Sequence, residues 1–244
     1  MLETCSGKKS LLLWNRIEKT GEKQSTPELD ILARSFYLFF FNDLASHDFS
    51  DRKFISKWEK SCKSLHKYAT SKLNPLFTND TTIPKILNKL KGNVAEIFVE
   101  YLFRNNLFSN FGFTLSSSTY KTVDPDNEEY IDAEAIDLDG LTCGIQIKNW
   151  KDSIPDEVFI KAEAMDNRMR RRQCNPDNWD SQPRQYIISF SKEKQTNSQR
   201  NGIWENVVKF IGPNDIDQAL NKFMLSNQIN NFCKAICTEI SNEQ

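Results

Sequence analysis

The chain has 244 residues, of which 39% are hydrophobic and 27% are charged, and its formal net charge is −1. These values are typical of a globular protein with a real core, and they exclude a chain-wide basic field that would by itself indicate a nucleic-acid partner. Six cysteines without a Cys-x-x-Cys pair, and two histidines, argue against a zinc site. The longest apolar run, residues 36–41, is too short to span a bilayer and no signal peptide is visible, so we expect a reduced, cytoplasmic protein without a membrane partner.

The first third of the chain has the pattern of a helical region that follows a polar arm. Residues 1–25 are polar and rich in lysine, and apolar residues at helical spacing run from Pro27 to about Leu73. The second helix of this region carries many lysines, which form either a solvated face or a phosphate-contacting face. We name Lys57 and Lys60 as candidate nucleic-acid contacts.

The middle and last parts of the chain alternate between helix and strand patterns. A helical stretch over residues 81–105 is expected to be interrupted at Gly92. Strands are predicted at residues 111–115, 130–136, 141–150, 185–190 and 203–211, a helix at 155–172, and a closing helical region at 216–240. This order predicts an α/β fold with a central mixed β-sheet flanked by helices and preceded by an N-terminal helical region.

The same patterns predict three segments. Residues 1–83 form an N-terminal arm and helical region, residues 84–212 form the α/β core, and residues 213–244 form a C-terminal helical region that packs on the core. The N-terminal helical region is a candidate surface for a protein partner.

A predicted β-hairpin around the turn signal at residues 137–140 carries the polar residues of interest. If the turn is centred on residues 138–139, the numbers of facing residues sum to about 277–278, so Asp132 faces Ile145 or Gln146. Side chains alternate along a strand, so Asp132 shares a face with Glu134, and Gln146 shares one with Lys148. The register can bring both pairs to one side of the hairpin.

This set of side chains has a specific chemical use. Carboxylate and carboxamide oxygens from Asp132 and Gln146 suit a hard divalent cation such as Mg²⁺, with Mn²⁺ as the alternative. The amine of Lys148 can orient or deprotonate an attacking water, or stabilise charge in a phosphorane-like transition state. Glu134 is either a ligand of a second metal or a neighbour that tunes Lys148. The hairpin therefore predicts hydrolysis of a phosphodiester.

The spacing from Asp132 to the sequence Gln146, Ile147, Lys148 resembles the motif of the PD-(D/E)xK nuclease superfamily. The Gln-x-Lys variant, with an aromatic shortly after the lysine, is most similar to Mrr-type restriction endonucleases, where Gln replaces the usual acid. The resemblance covers roughly residues 91–190. It implies a restriction-endonuclease-like core and a role in restriction or antiviral defence. Ile131 stands where the family motif has proline.

The resemblance also implies an acidic residue on the helix that precedes the core strands. Glu96 matches that position and would complete the metal site, with Glu100 as the fallback. Downstream, an arginine cluster ends the helix that follows the hairpin. It either satisfies the helix dipole or contacts phosphate, and it consists of Arg168, Arg170, Arg171 and Arg172.

We therefore predict a divalent-metal-dependent nuclease that hydrolyses DNA phosphodiester bonds. A homodimer is a reasonable expectation, because double-strand cutting often uses two active sites. One alternative is a sequence-specific type II restriction enzyme, or an effector nuclease switched on by a partner or a small signal. An alternative of another class is a catalytically inactive nucleic-acid-binding or interaction protein. A further alternative is that the motif is accidental and the chain is a helical scaffold with a small sheet.

Overall fold

The computed structural model describes residues 27–77, 82–105, 115–122, 131–137, 142–149, 156–173, 185–191, 208–223 and 226–242. Its helices are α1 (Pro27–Ala45), α2 (Phe54–Leu73), α3 (Thr82–Arg104), α4 (Asp156–Gln173), α5 (Pro213–Phe223) and α6 (Ser226–Asn242). Its strands are β1 (Leu115–Thr122), β2 (Ala133–Asp137), β3 (Thr142–Lys148), β4 (Gln185–Ser189) and β5 (Val208–Ile211). The predicted mixed α/β class and the N-terminal helical region are confirmed. None of the helices over these residues combines the length and the apolar character that a membrane crossing requires.

The strands form one five-stranded sheet in the order β1-β2-β3-β4-β5. The first three strands are antiparallel, while β4 pairs parallel to β3 and β5 pairs parallel to β4. Strand β3 therefore reaches β4 through a crossover that contains α4, as parallel pairing requires. Ala133 pairs with Ile145, which is the register that counting from the turn predicts.

The central strands follow the predicted positions closely, because their apolar pattern is strong. Strand β4 is buried at all five positions, and β3 is buried at its five inner positions. A strand covered on both faces needs such a run of apolar residues. Helix α4 packs on the side of the sheet that carries Ile187 and Val208, to which it contributes Val158 and Ala162.

The edge of the sheet differs from the prediction. Strand β1 covers Leu115–Thr122, where the sequence predicted the end of one strand and the start of a loop; residues 111–114 lie outside the described residues. Asp137, assigned to the turn, is the last residue of β2 and pairs with Leu115. Pairing with β2 outweighs the weak pattern of a Ser- and Thr-rich segment, as is common for strands.

The chain divides into two compact units. Unit 1 consists of Met1–Phe98 together with Met224–Gln244, and unit 2 consists of Val99–Phe223. These boundaries differ from those drawn at residues 83 and 212. Helix α3 runs unbroken through the expected interruption at Gly92. Of the predicted C-terminal region, α5 belongs to unit 2, whereas α6 belongs to unit 1, where it packs on α1 and contacts Phe98 through Phe232.

Unit 1 has an aromatic core. Phe40 contacts Trp58 edge-on at 4.8 Å between ring centroids, and Phe54 stacks on Phe98 at 5.2 Å. The amide of Asn230 on α6 donates hydrogen bonds to the carbonyl oxygens of Ala45 and His47, at 2.7 and 3.1 Å. These bonds satisfy carbonyl groups that the end of α1 leaves without helical partners.

Candidate active site

Asp132 lies just before β2, where pairing with β3 is irregular. Its backbone N–H donates to the carbonyl oxygen of Ile145 at 2.8 Å, although Ile145 is the register partner of Ala133. Two consecutive residues thus face one residue of β3, which is the arrangement of a β-bulge. A bulge redirects a side chain relative to the regular alternation of the strand. The side chain of Asp132 therefore reaches the end of β3, although regular alternation of side chains along the strand does not predict this.

The carboxylate of Asp132 joins Lys148 at the end of β3. Its Oδ2 accepts the backbone N–H of Ile147 at 2.6 Å and lies 3.6 Å from Lys148 Nζ. Among the described residues, both contacts of the Asp132 carboxylate involve Oδ2, and none involves Oδ1. The side chains of Asp132 and Lys148 are 21% and 19% exposed, so the pair is sheltered but open to a ligand.

Gln146 is the buried member of the predicted set. It lies on β3 two residues before Lys148, on the same face of the strand, and its register partner on β4 is Ile187. Burying a carboxamide among apolar neighbours costs free energy unless the group has a role in packing or chemistry. Its carboxamide oxygen is a hard donor of the type that Mg²⁺ prefers.

Glu134 is separated from the Asp132–Lys148 pair. It pairs with Gly144, four residues before Lys148 on β3, which corresponds to about 13 Å along the strand. This distance gives the predicted tuning of Lys148 by Glu134 no geometric support.

The two upstream acids have different surroundings. Glu100, in unit 2, is buried and forms an ion pair with Arg104 at 2.7 Å, so its charge is already compensated. Glu96 lies in unit 1, close to the buried Tyr37, whose hydroxyl accepts a hydrogen bond from Asn93 at 2.7 Å. Burial raises the pKa of Tyr37 above its usual range, the Asn93 bond lowers it, and the Glu96 charge raises it. Glu96 as a metal ligand stays a prediction.

Two polar residues of β4 were missed in the sequence. Gln185 and Ser189 are both 0% exposed, and they pair in register with Gly144 and Lys148. Among the described residues, neither amide atom of Gln185 has a hydrogen-bond partner. The available signal is a polar residue at the first and fifth positions of an otherwise apolar strand, which places both on one face.

The basic candidates also differ from one another. Lys57 forms an ion pair with Asp51 and its side chain is only 12% exposed, which makes it a poorer phosphate contact than the sequence suggested. Lys60 is exposed. The backbone of α4 includes the arginine cluster, but its side chains lie outside the described part of the structure, namely those of Arg168, Arg170, Arg171 and Arg172.

The donor set at the hairpin fits a hard cation. The Asp132 carboxylate and the Gln146 carboxamide are both oxygen donors, the type that Mg²⁺ prefers. Over the described residues, no group of three His, Cys, Asp or Glu side chains is placed to hold a metal. A cation bound here would therefore keep waters and take further ligands from phosphate, which is the usual behaviour of Mg²⁺.

Comparison with models of protein families gives no match, and comparison with curated proteins gives none either. Among solved structures, the chain is similar to the crystal structure of protein VC1899 from Vibrio cholerae, with 11% sequence identity and a TM-score of 0.39. The alignment covers 88% of this chain and 58% of that one, so this chain spans less than two thirds of the length of the Vibrio protein. A likeness at this level assigns the chain to no family.

Proposed function

We propose that the protein is a divalent-metal-dependent nuclease that hydrolyses DNA phosphodiester bonds, in a restriction or defence role. The observation that carries the proposal is the convergence of Asp132 and Lys148 at the end of β3, with 3.6 Å between Oδ2 and Nζ. A carboxylate beside an ammonium, with the carboxamide of Gln146 two residues before Lys148 on β3, can bind a hard cation and stabilise charge on a phosphate.

The element order supports a restriction-endonuclease-like core for this proposal. A helix, three antiparallel strands, a crossover helix and a parallel strand follow one another as α3, β1, β2, β3, α4 and β4. The resemblance of the Asp132 and Gln146–Lys148 motif implies the same order. Within that order Asp132 lies just before β2, and Gln146–Lys148 forms the end of β3.

The geometry indicates how the chain's own residues would act. The N–H of Ile147 fixes the Asp132 carboxylate, so the carboxylate needs no reorientation when substrate arrives. The ammonium of Lys148 can donate to phosphoryl oxygens or orient the attacking water. Asp132 and Gln146 would hold the metal. When bound, the metal supplies Lewis-acid polarisation of the phosphate and activation of water.

Single substitutions test the proposal directly. Lys148→Met and Asp132→Asn should each lower the rate of Mg²⁺-dependent plasmid cleavage by about 10²–10⁴-fold, because each removes a group that acts on the reacting phosphate. The measurement is conversion of supercoiled plasmid to nicked and linear forms. Lys161→Met is the matched control, since Lys161 is an exposed lysine of α4 and its loss should leave the rate unchanged.

Undiminished cleavage by the Lys148 or Asp132 variant would contradict the proposal. The inactive alternative has its own support, since Oδ2 of Asp132 is already engaged by Lys148 and Ile147. Metal titration separates the two functions. A nuclease site should gain Mg²⁺-dependent thermal stability through Asp132, whereas an inactive fold should gain none.

A further inference from the structure

Helix α2 has two contrasting faces. One face is buried in unit 1 and consists of Phe54, Ile55, Trp58, Ser61, Cys62, Leu65, Ala69 and Leu73. The other face carries three lysines, Lys60, Lys63 and Lys67, all of which are exposed. Their spacing of three and four residues aligns them along one side of the helix. We call this set the lysine stripe.

The lysine stripe is not neutralised by the residues that the structure describes. In the described part of the structure its three lysines form no ion pair, whereas Lys57, on the same helix, is paired with Asp51. The single acidic residue of α2 is Glu59, which is half-buried. Like charges at these spacings destabilise a helix. The chain as a whole has a net charge of −1, so the stripe is a local concentration of positive charge.

We propose that the lysine stripe is a docking surface for the sugar-phosphate backbone of duplex DNA. The three lysines extend over about 10 Å of the helix axis. Duplex DNA presents one negative charge per about 1.7 Å of its axis, so a rod of matching length is densely anionic. An ammonium is a point charge without a planar fork, which suits phosphate contact without reading of bases.

The surroundings of the stripe favour DNA over other anionic partners. Protein interfaces depend on aromatic and other apolar anchors at their centre. Membrane-surface helices need an exposed apolar face. The apolar face of α2 is buried, and the exposed large hydrophobic residues of the described chain lie on other segments. Positive charge is therefore the main feature of the lysine stripe, and contact with a phosphate backbone requires only positive charge.

Binding measured without divalent metal tests this proposal independently of cleavage. The probe is a short fluorescein-labelled DNA duplex of mixed sequence, with anisotropy recorded in EDTA over a series of salt concentrations. The test variant is Lys63→Gln/Lys67→Gln. Removal of two phosphate contacts should lower the slope of log K against log salt by about 1.8 and weaken binding by tenfold or more at about 0.1 M salt.

The matched control is Lys85→Gln/Lys234→Gln, which removes the same charge from exposed positions on α3 and α6. It should keep the wild-type slope. Glutamine has a helix propensity close to that of lysine, so both variants should fold, and circular dichroism checks this. A stripe variant with the wild-type slope, an equal loss in the control, or a wild-type protein that does not bind the duplex would overturn the proposal.

Two further probes identify a different occupant. Phosphatidylserine vesicles or polyglutamate that bind through the stripe while DNA does not would also overturn it. Because these experiments do not measure cleavage, their results can be interpreted even if the protein has no nuclease activity. If the stripe binds DNA but the protein does not cleave it, the docking proposal stands and the nuclease proposal fails.

Discussion

Gly144 allows β3 to pass beneath the side chain of Gln185. A Cβ at this position would lie 2.3 Å from Gln185 Oε1 and 3.0 Å from Ile131 Cδ1. Gln185 is fully buried, so its amide has little room to move away. The two residues therefore depend on each other, and the absence of a side chain at Gly144 is what admits a glutamine on β4.

This dependence predicts the effect of Gly144→Ala. The added methyl should lower the free energy of unfolding by about 1–3 kcal/mol, because overpacking a core forces side chains and backbone to shift. Urea unfolding measures the change. The double variant Gly144→Ala/Gln185→Ala should be less destabilised than the two single changes added together, as expected for residues in contact. Strict additivity would show that the two positions are not coupled.

Cys237 predicts a pH dependence at the residue scale. Burial raises the pKa of its thiol to about 11, above the usual value. Between pH of about 8.5 and 11, the unfolded chain ionises this thiol while the folded chain keeps it protonated, so stability falls as pH rises. The measurement is the urea midpoint over this pH range, compared between the wild type and Cys237→Val. The variant should lose less stability over the range; an identical pH dependence would contradict the assignment.

At the scale of elements, α3 shows where a residue pattern misleads. Gly92 predicts an interruption, since glycine is unfavourable within a helix, yet the helix runs from Thr82 to Arg104 without a break. A Cβ at Gly92 would meet nothing within 4 Å. The glycine is thus required by neither a turn nor a close approach, and packing of the helix outweighs its low propensity.

The same observation predicts that Gly92→Ala stabilises the protein. Alanine costs less backbone entropy than glycine, so the free energy of unfolding should rise by about 0.5–1 kcal/mol. The Tm should rise by a few degrees in a thermal melt followed by circular dichroism. Gly144→Ala serves as the opposite case, with the same change of residue and the reverse sign. A loss of stability in Gly92→Ala would mean that the position is more confined than the structure shows.

The success of sequence reasoning varied with the element and the physical signal behind it. Strand β4 and helix α4 were predicted to within one residue at each end, because β4 is a short apolar run and Pro155 marks the start of α4. Hairpin register placed Asp132 opposite Ile145 or Gln146, whereas its contact with Lys148 involves the irregular pairing just before β2. Gln185 and Ser189 were missed, because the register of β4 on β3 depends on a crossover whose geometry no local spacing contains.

At the scale of the whole molecule, the two ends of the chain belong to the same unit. The N-terminal segment and the last helix form unit 1 together, although more than a hundred residues of unit 2 separate them. Sequence patterns describe each helix but not which helix lies beside it, since many amphipathic faces are compatible. Helix α6 has neighbours from two of the predicted segments, since it packs on α1 and its Phe232 contacts Phe98 of α3.

Removal of the last helix tests whether the fold of unit 1 depends on α6. Helix α6 buries six apolar side chains, those of Ile229, Phe232, Cys233, Ile236, Cys237 and Ile240. Each fully buried aliphatic or aromatic side chain contributes about 1.5–3 kcal/mol, so their sum approaches the whole stability of an ordinary domain. A chain that ends at Phe223 should therefore lose the fold of unit 1, which limited proteolysis would detect as rapid cleavage within α1 and α2. The milder variant Asn230→Ala removes the hydrogen bonds to the end of α1 and should cost only about 1–2 kcal/mol, with α6 still in place. If the truncated chain resisted protease as the full chain does, unit 1 would not depend on α6, and the pairing of the chain's two ends would be incidental to its stability.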